Sequence, residues 1–95
     1  MNIIVNDEKI SKFVYDSLGE FKAPMDFEQS DMTPHSKKIF KNIAKYCIDH
    51  DTNIMPIRKF QKMVIYDFGA TKETVYSMAE LESNSFLKLV KLGEN

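Results

Sequence analysis

The stretch IMPIRKFQKMVIYDFGATKETVYSMAELE, residues 54–82, sets a glycine and two threonines between two apolar segments of similar length. In its first half Ile57, Phe60, Met63 and Val64 recur at three-to-four spacing, which lays them along one face of a helix. Gly69 suits the left-handed residue that ends such a helix. Thr71 then suits the cap of a second helix, with Glu73 in its first turn and Val75, Met78, Ala79 and either Leu81 or Glu82 facing inward, a less well-defined face than that of the other helices. Ahead of both, Ile54 and Met55 read as a short strand before Pro56 restarts a helix.

Upstream lies the clearest helix of the chain. Thr33 and Pro34 form a start signal, because threonine accepts a backbone N–H and proline loses nothing at the first helical position. Ile39, Phe40, Ile43, Ala44, Cys47 and Ile48 make one apolar stripe, and Lys37, Lys41 and Lys45 stack away from it at four-residue spacing. Downstream, FLKLVKLGEN fits neither period cleanly. A strand is expected there, since Asn84 and Ser85 interrupt the helix. Near the amino end Ile10, Phe13, Val14, Leu18 and Phe21 recur at helical spacing, so a helix is expected over 7–21, capped by Asn6 or Asp7 and weakened in its last turn by Gly19. Residues 22–32 carry no period and read as a surface connection.

The chain has 95 residues, 43% of them hydrophobic and 28% charged, which places it among globular proteins of one domain. The expected division is 1–32 for the amino-terminal helix and connection and 33–95 for the remainder, packed as one body. A single cysteine, Cys47, has no disulfide partner and falls on an apolar position, so a buried, inert thiol is expected. No apolar run is long enough to span a bilayer, and the short run at the amino end has no basic flank; a soluble, cytoplasmic protein is expected. The formal charge of -1 is unevenly placed. Residues 1–31 hold seven acids against three lysines, residues 32–66 seven bases against two acids, and residues 67–95 five acids against three lysines. A basic middle suits a local polyanion site, or opposite charges facing one another within one fold.

The order helix, short strand, helix, turn, helix, strand over residues 36–95 resembles the winged helix-turn-helix superfamily. GATKETV followed by LESNSFLKLVKLG is the most family-like part. The resemblance implies a mainly α fold, a three-helix core with short strands and a wing, plus the extra amino-terminal helix. No residues follow Asn95 to make a returning strand, so the wing is expected to be truncated or completed from elsewhere. The resemblance also implies duplex DNA as partner and a role in transcription or replication control, the helix from Thr71 entering the major groove. Thr71, Lys72, Thr74, Tyr76 and Ser77 are the outward candidates; Arg58, Lys59 and Lys62 on the preceding helix and Lys88 and Lys91 on the wing are the phosphate candidates. Glu73, Glu80 and Glu82 oppose phosphate contact. Weak binding by one copy is therefore expected, and a homodimer through residues 7–21 would supply two half-sites. The competing expectation is a protein-interaction module, an adaptor or inhibitor, whose mark would be an acidic or apolar face over residues 71–82.

Nothing in the sequence points to catalysis. His35 and His50 lie far apart with no paired cysteine or carboxylate at ligand spacing, and the 3 glycines do not cluster into a phosphate loop. No enzyme activity, metal or cofactor is expected.

Overall fold

The structure, a computed structural model, describes residues 1–67 and 72–91, with side chains described for all of these except 65–67. Its frame is a three-stranded antiparallel sheet whose central strand, β1, is Asn2–Val5. Three consecutive β-branched residues, Ile3 to Val5, suit a strand paired on both sides. On one side Ile3 lies opposite Met55 of β4 (Ile54–Pro56); on the other it lies opposite Leu89 of β5 (Leu87–Val90). The ladder continues past the strand: the Val5 amide donates to Asn53 O at 2.8 Å and the Asn6 amide to Phe86 O at 2.9 Å. Ile3 and Val5 alternate into the core, as the two-residue pleat requires.

A short helix, α1 (Asp7–Ile10), follows β1, its amino end capped by Asn6, whose side chain accepts from the Glu8 amide at 3.0 Å. Next come a two-stranded hairpin of β2 (Val14–Tyr15) and β3 (Phe21–Lys22), then a short helix, α2 (Met25–Glu28). The central helix α3 (Pro34–Asp49) starts where Thr33 and Pro34 mark it, with Thr33 Oγ1 accepting from the Ser36 amide at 3.2 Å. After β4 come α4 (Ile57–Asp67) and α5 (Lys72–Ser83), which packs on α3.

The core forms where α3 meets the sheet and the amino-terminal aromatics. Ile39, Phe40, Ile43, Ala44 and Cys47 are wholly buried there, together with Ile3, Val5 and Met55. Around Phe40 stand Phe13, Phe27 and Phe86, with ring centroids 5.5, 5.7 and 4.9 Å away, mostly edge to face. Such contacts add to the area term of burying large rings.

Three expectations are corrected. The molecule is an α+β domain with two small antiparallel sheets, not the mainly α winged helix-turn-helix expected. The reason is that the amino-terminal apolar run becomes the middle strand, separating β4 from β5. The helix expected over 7–21 stops at Ile10, because residues 13–22 turn back as a hairpin. Asp16 Oδ1 accepts from the Leu18 and Glu20 amides at 2.8 and 2.9 Å, and Gly19 takes φ of +80°, a conformation that favours glycine. Phe13 is consequently buried, while Leu18 stands at the hairpin tip, 84% exposed. Within the expected connection, residues 25–28 form α2. Of the helix on which the homodimer was expected to rest, only Asp7–Ile10 forms.

Candidate nucleic-acid interface

Helix α4 divides cleanly by side. Phe60 and Val64 are buried and Ile57 and Met63 half-buried, whereas Arg58, Lys59 and Lys62 are exposed. Spacings of three and four residues put the three cations close together on the helix surface. Among the described residues none of the three takes part in an ion pair.

The lysines of α3 differ. Lys41 pairs with Glu28 of α2 at 3.1 Å, and Lys37 Nζ donates to the Glu28 carbonyl at 2.7 Å. Lys45 pairs with Asp49 at 3.1 Å. Much of the positive charge on α3 thus faces acids or carbonyls within the fold, which leaves α4 as the outward-facing part of the basic middle segment.

On α5 the expected faces are rotated. Thr74 is 7% exposed and Ser77 1%, so these two candidates point inward with Met78 and Leu81, not toward a partner. Val75, expected inward, is 70% exposed, Tyr76 is 60% exposed, and Ala79 is exposed as well. The cause is the stripe that α5 turns to α3: it runs through 74, 77, 78 and 81, about one residue step of 100° away from the expected 75, 78 and 79. Ser77 Oγ finds no hydrogen-bond partner among the described residues. Lys72, Val75, Tyr76 and Ala79 make the outward stripe. Thr71 lies outside the described residues.

The acids of α5 lie mostly off that stripe. Glu80 points back to the start of α3, where Oε1 accepts from the Thr33 amide at 3.1 Å, from Thr33 Oγ1 at 3.2 Å and from the Ser36 hydroxyl. Donation by Ser36, then by Thr33, holds this carboxyl below its ordinary range despite partial desolvation. Glu73 sits in the first turn, where the helix dipole favours it. Glu82 is exposed on the Val75 side.

Lys88 and Lys91 are exposed, but β1 separates β5 from β4 and the helix that follows it. Lys88 instead borders a groove of about 490 Å³ whose rim carries Asp7 and Glu82. The structure therefore does not gather the α4 cations and the β5 lysines onto one basic face.

One grouping was not singled out from the sequence. Between the last turns of α3 and the start of α4 lies a groove of about 430 Å³, bordered by Lys45, Tyr46, His50, Lys59, Lys62 and Met63. Tyr46 and His50 stack with centroids 4.1 Å apart and ring planes 23° apart. His50 Nδ1 lies 2.8 Å from the Tyr46 carbonyl, an acceptor, so this nitrogen carries the proton. Asp49 also borders the groove; its carboxylate accepts from the Tyr15 hydroxyl and from Lys45. Those two bonds, that of Tyr15 first, lower its pKa, and the Asp49 bond raises that of Lys45. The four-residue step from Tyr46 to His50 is the signal that could have revealed the stack, since it places both on one helix face.

Among the described residues there is no group of three or more His, Cys, Asp or Glu able to hold a metal ion, and no helix long and apolar enough to cross a membrane. No protein-family model, curated protein or solved structure matches the chain.

Proposed function

We propose that the protein binds duplex DNA, with Arg58, Lys59 and Lys62 of α4 meeting phosphates and the outward stripe of α5, led by Lys72 and Tyr76, lying toward a groove. The observation that supports this most is the contrast between two helices: the lysines Lys37, Lys41 and Lys45 of α3 are engaged within the fold, and the three cations of α4 are exposed without ion pairs among the described residues. Phosphate contact by unpaired cations releases condensed counterions and supplies sequence-independent affinity. On α5, Lys72 adds a fourth cation and Val75 an apolar surface of the kind that meets a thymine methyl. Glu80, which would repel phosphate if it faced outward, is bound to Thr33 and Ser36 instead. The role that follows is that of a transcription or replication regulator, with two copies needed for two half-sites and no chemical step.

Titration of a labelled mixed-sequence duplex at low salt tests this. Saturable binding that weakens in an R58A/K59A/K62A variant is expected; no binding to any duplex at low salt would remove the proposal.

A second role has its own support. Val75 and Tyr76 are neighbouring large side chains, 70% and 60% exposed, and Glu82 is exposed about two turns further along the helix. An apolar helix face of this kind suits docking of another protein. Tyr76→Lys separates the two roles: added positive charge preserves or strengthens duplex binding and disrupts an apolar protein contact.

A further inference from the structure

We infer that the groove between the end of α3 and the start of α4 is a nucleotide subsite, taking one base on the exposed face of His50 and its phosphate between Lys59 and Lys62, with Lys45, paired to Asp49, at the edge. Among the described residues three lysines border the groove against one carboxylate, Asp49, and that carboxylate is already bound by Lys45 and Tyr15. The groove therefore carries an excess of positive charge matched to a phosphoryl group.

The aromatic pair supplies the second element. Tyr46 covers one face of the His50 ring, and His50 is exposed, so its other face meets solvent. The bond from Nδ1 to the Tyr46 carbonyl fixes the ring plane, which lowers the ordering cost of stacking a base upon it. Met55 and Met63 complete the apolar part of the wall with adaptable thioether side chains. Lysines that hold phosphate beside a ring platform for the base are the combination used to bind nucleotides without sequence preference.

The subsite goes beyond duplex binding, because a stacked base must leave a duplex. It draws on Tyr46 and His50, which the duplex proposal does not use. The ligand chemistry is a nucleotide, whether free or within a single strand.

The test is titration of the whole protein with fluorescein-labelled dT10, with adenosine monophosphate and with inorganic phosphate, in wild type and in H50A and K45Q variants whose folding is checked by circular dichroism. The subsite predicts saturable binding of dT10 or of the mononucleotide, with amide shift changes centred on Tyr46, Met55 and Met63. H50A should weaken that binding roughly tenfold, the scale of one lost stacking contact, and leave duplex affinity unchanged. Binding of dT10 alone identifies a strand as the source, and binding of the mononucleotide at similar strength identifies a free nucleotide. Absence of both, or binding equal to that of inorganic phosphate and indifferent to H50A, overturns the inference. Duplex binding would stand in that event, while loss of duplex binding with dT10 binding intact would overturn only the duplex proposal.

Discussion

Glu80, near the end of α5, accepts hydrogen bonds from both the amide and the hydroxyl of Thr33, the residue that caps α3. One carboxylate thereby ties the last turn of one helix to the first turn of another 47 residues earlier in the chain. It also satisfies the hydroxyl of Ser36, which is wholly buried. A residue that reads from sequence as an obstacle to DNA is, in the fold, a helix anchor.

Glu80→Ala leaves the buried Ser36 hydroxyl and the Thr33 amide without this acceptor, and should cost about 1–3 kcal/mol of stability. Urea unfolding checks it. The pH dependence has a definite sign: a carboxyl whose pKa is lowered on folding contributes stability above its unfolded value, and that contribution is lost as pH falls through the folded value. Asp16 and Asp49 are lowered as well, so wild type should lose stability in acid, and Glu80→Gln should lose less of it between pH 7 and pH 3.

Phe40 is wholly buried among Phe13, Phe27 and Phe86. Replacing it by alanine opens a cavity that these rings cannot refill and should cost roughly 3–5 kcal/mol. A fall of several degrees or more in thermal midpoint is the expected result.

Cys47 sits on the core face of α3, and burial pushes its thiol up to about 11. Neither the thiolate nor access to it is available in the native protein at neutral pH. A thiol reagent such as DTNB should label Cys47 only at the rate of unfolding, and within seconds in denaturant.

Gly19 turns the hairpin at φ of +80°, with open space where a Cβ would stand. Gly19→Ala should therefore cost about 1 kcal/mol through backbone conformation alone. Hydrogen exchange should quicken first at the Glu20 and Leu18 amides that Asp16 holds.

The parts of the fold that were legible in the sequence are those where one signal acted alone. Thr33 and Pro34 start α3 because nothing competes with them, and its stripe from Ile39 to Cys47 is the core. Ile54 and Met55 form part of β4, and Leu87 to Val90 form β5, as expected. The amino end was illegible because two periods overlap there. Ile10, Phe13 and Phe21 do all turn toward the core, but they reach it from a helix, a loop and a strand, and DSLG between them is a turn signal that the helical spacing concealed. The run Ile3–Val5 carried a strand signal too, yet its central place depends on pairing with residues that begin at Ile54, far along the chain, which no local pattern encodes.

At the candidate site, Arg58, Lys59, Lys62, Lys72 and Tyr76 are exposed as expected, and Thr74 and Ser77 are not. Their small hydroxyl side chains suit a helix surface and a tight helix contact equally well, so polarity alone gave no face. The groove with Tyr46 and His50 depends on where α4 leaves β4, a tertiary fact.

The salt dependence of duplex binding tests the central claim most directly. For wild type the logarithm of the association constant should fall linearly with the logarithm of salt concentration, and the R58A/K59A/K62A variant should show a slope shallower by about 2–3, near 0.9 for each phosphate contact removed. An identical slope in the two proteins, or a duplex that does not bind at any salt concentration, would contradict it.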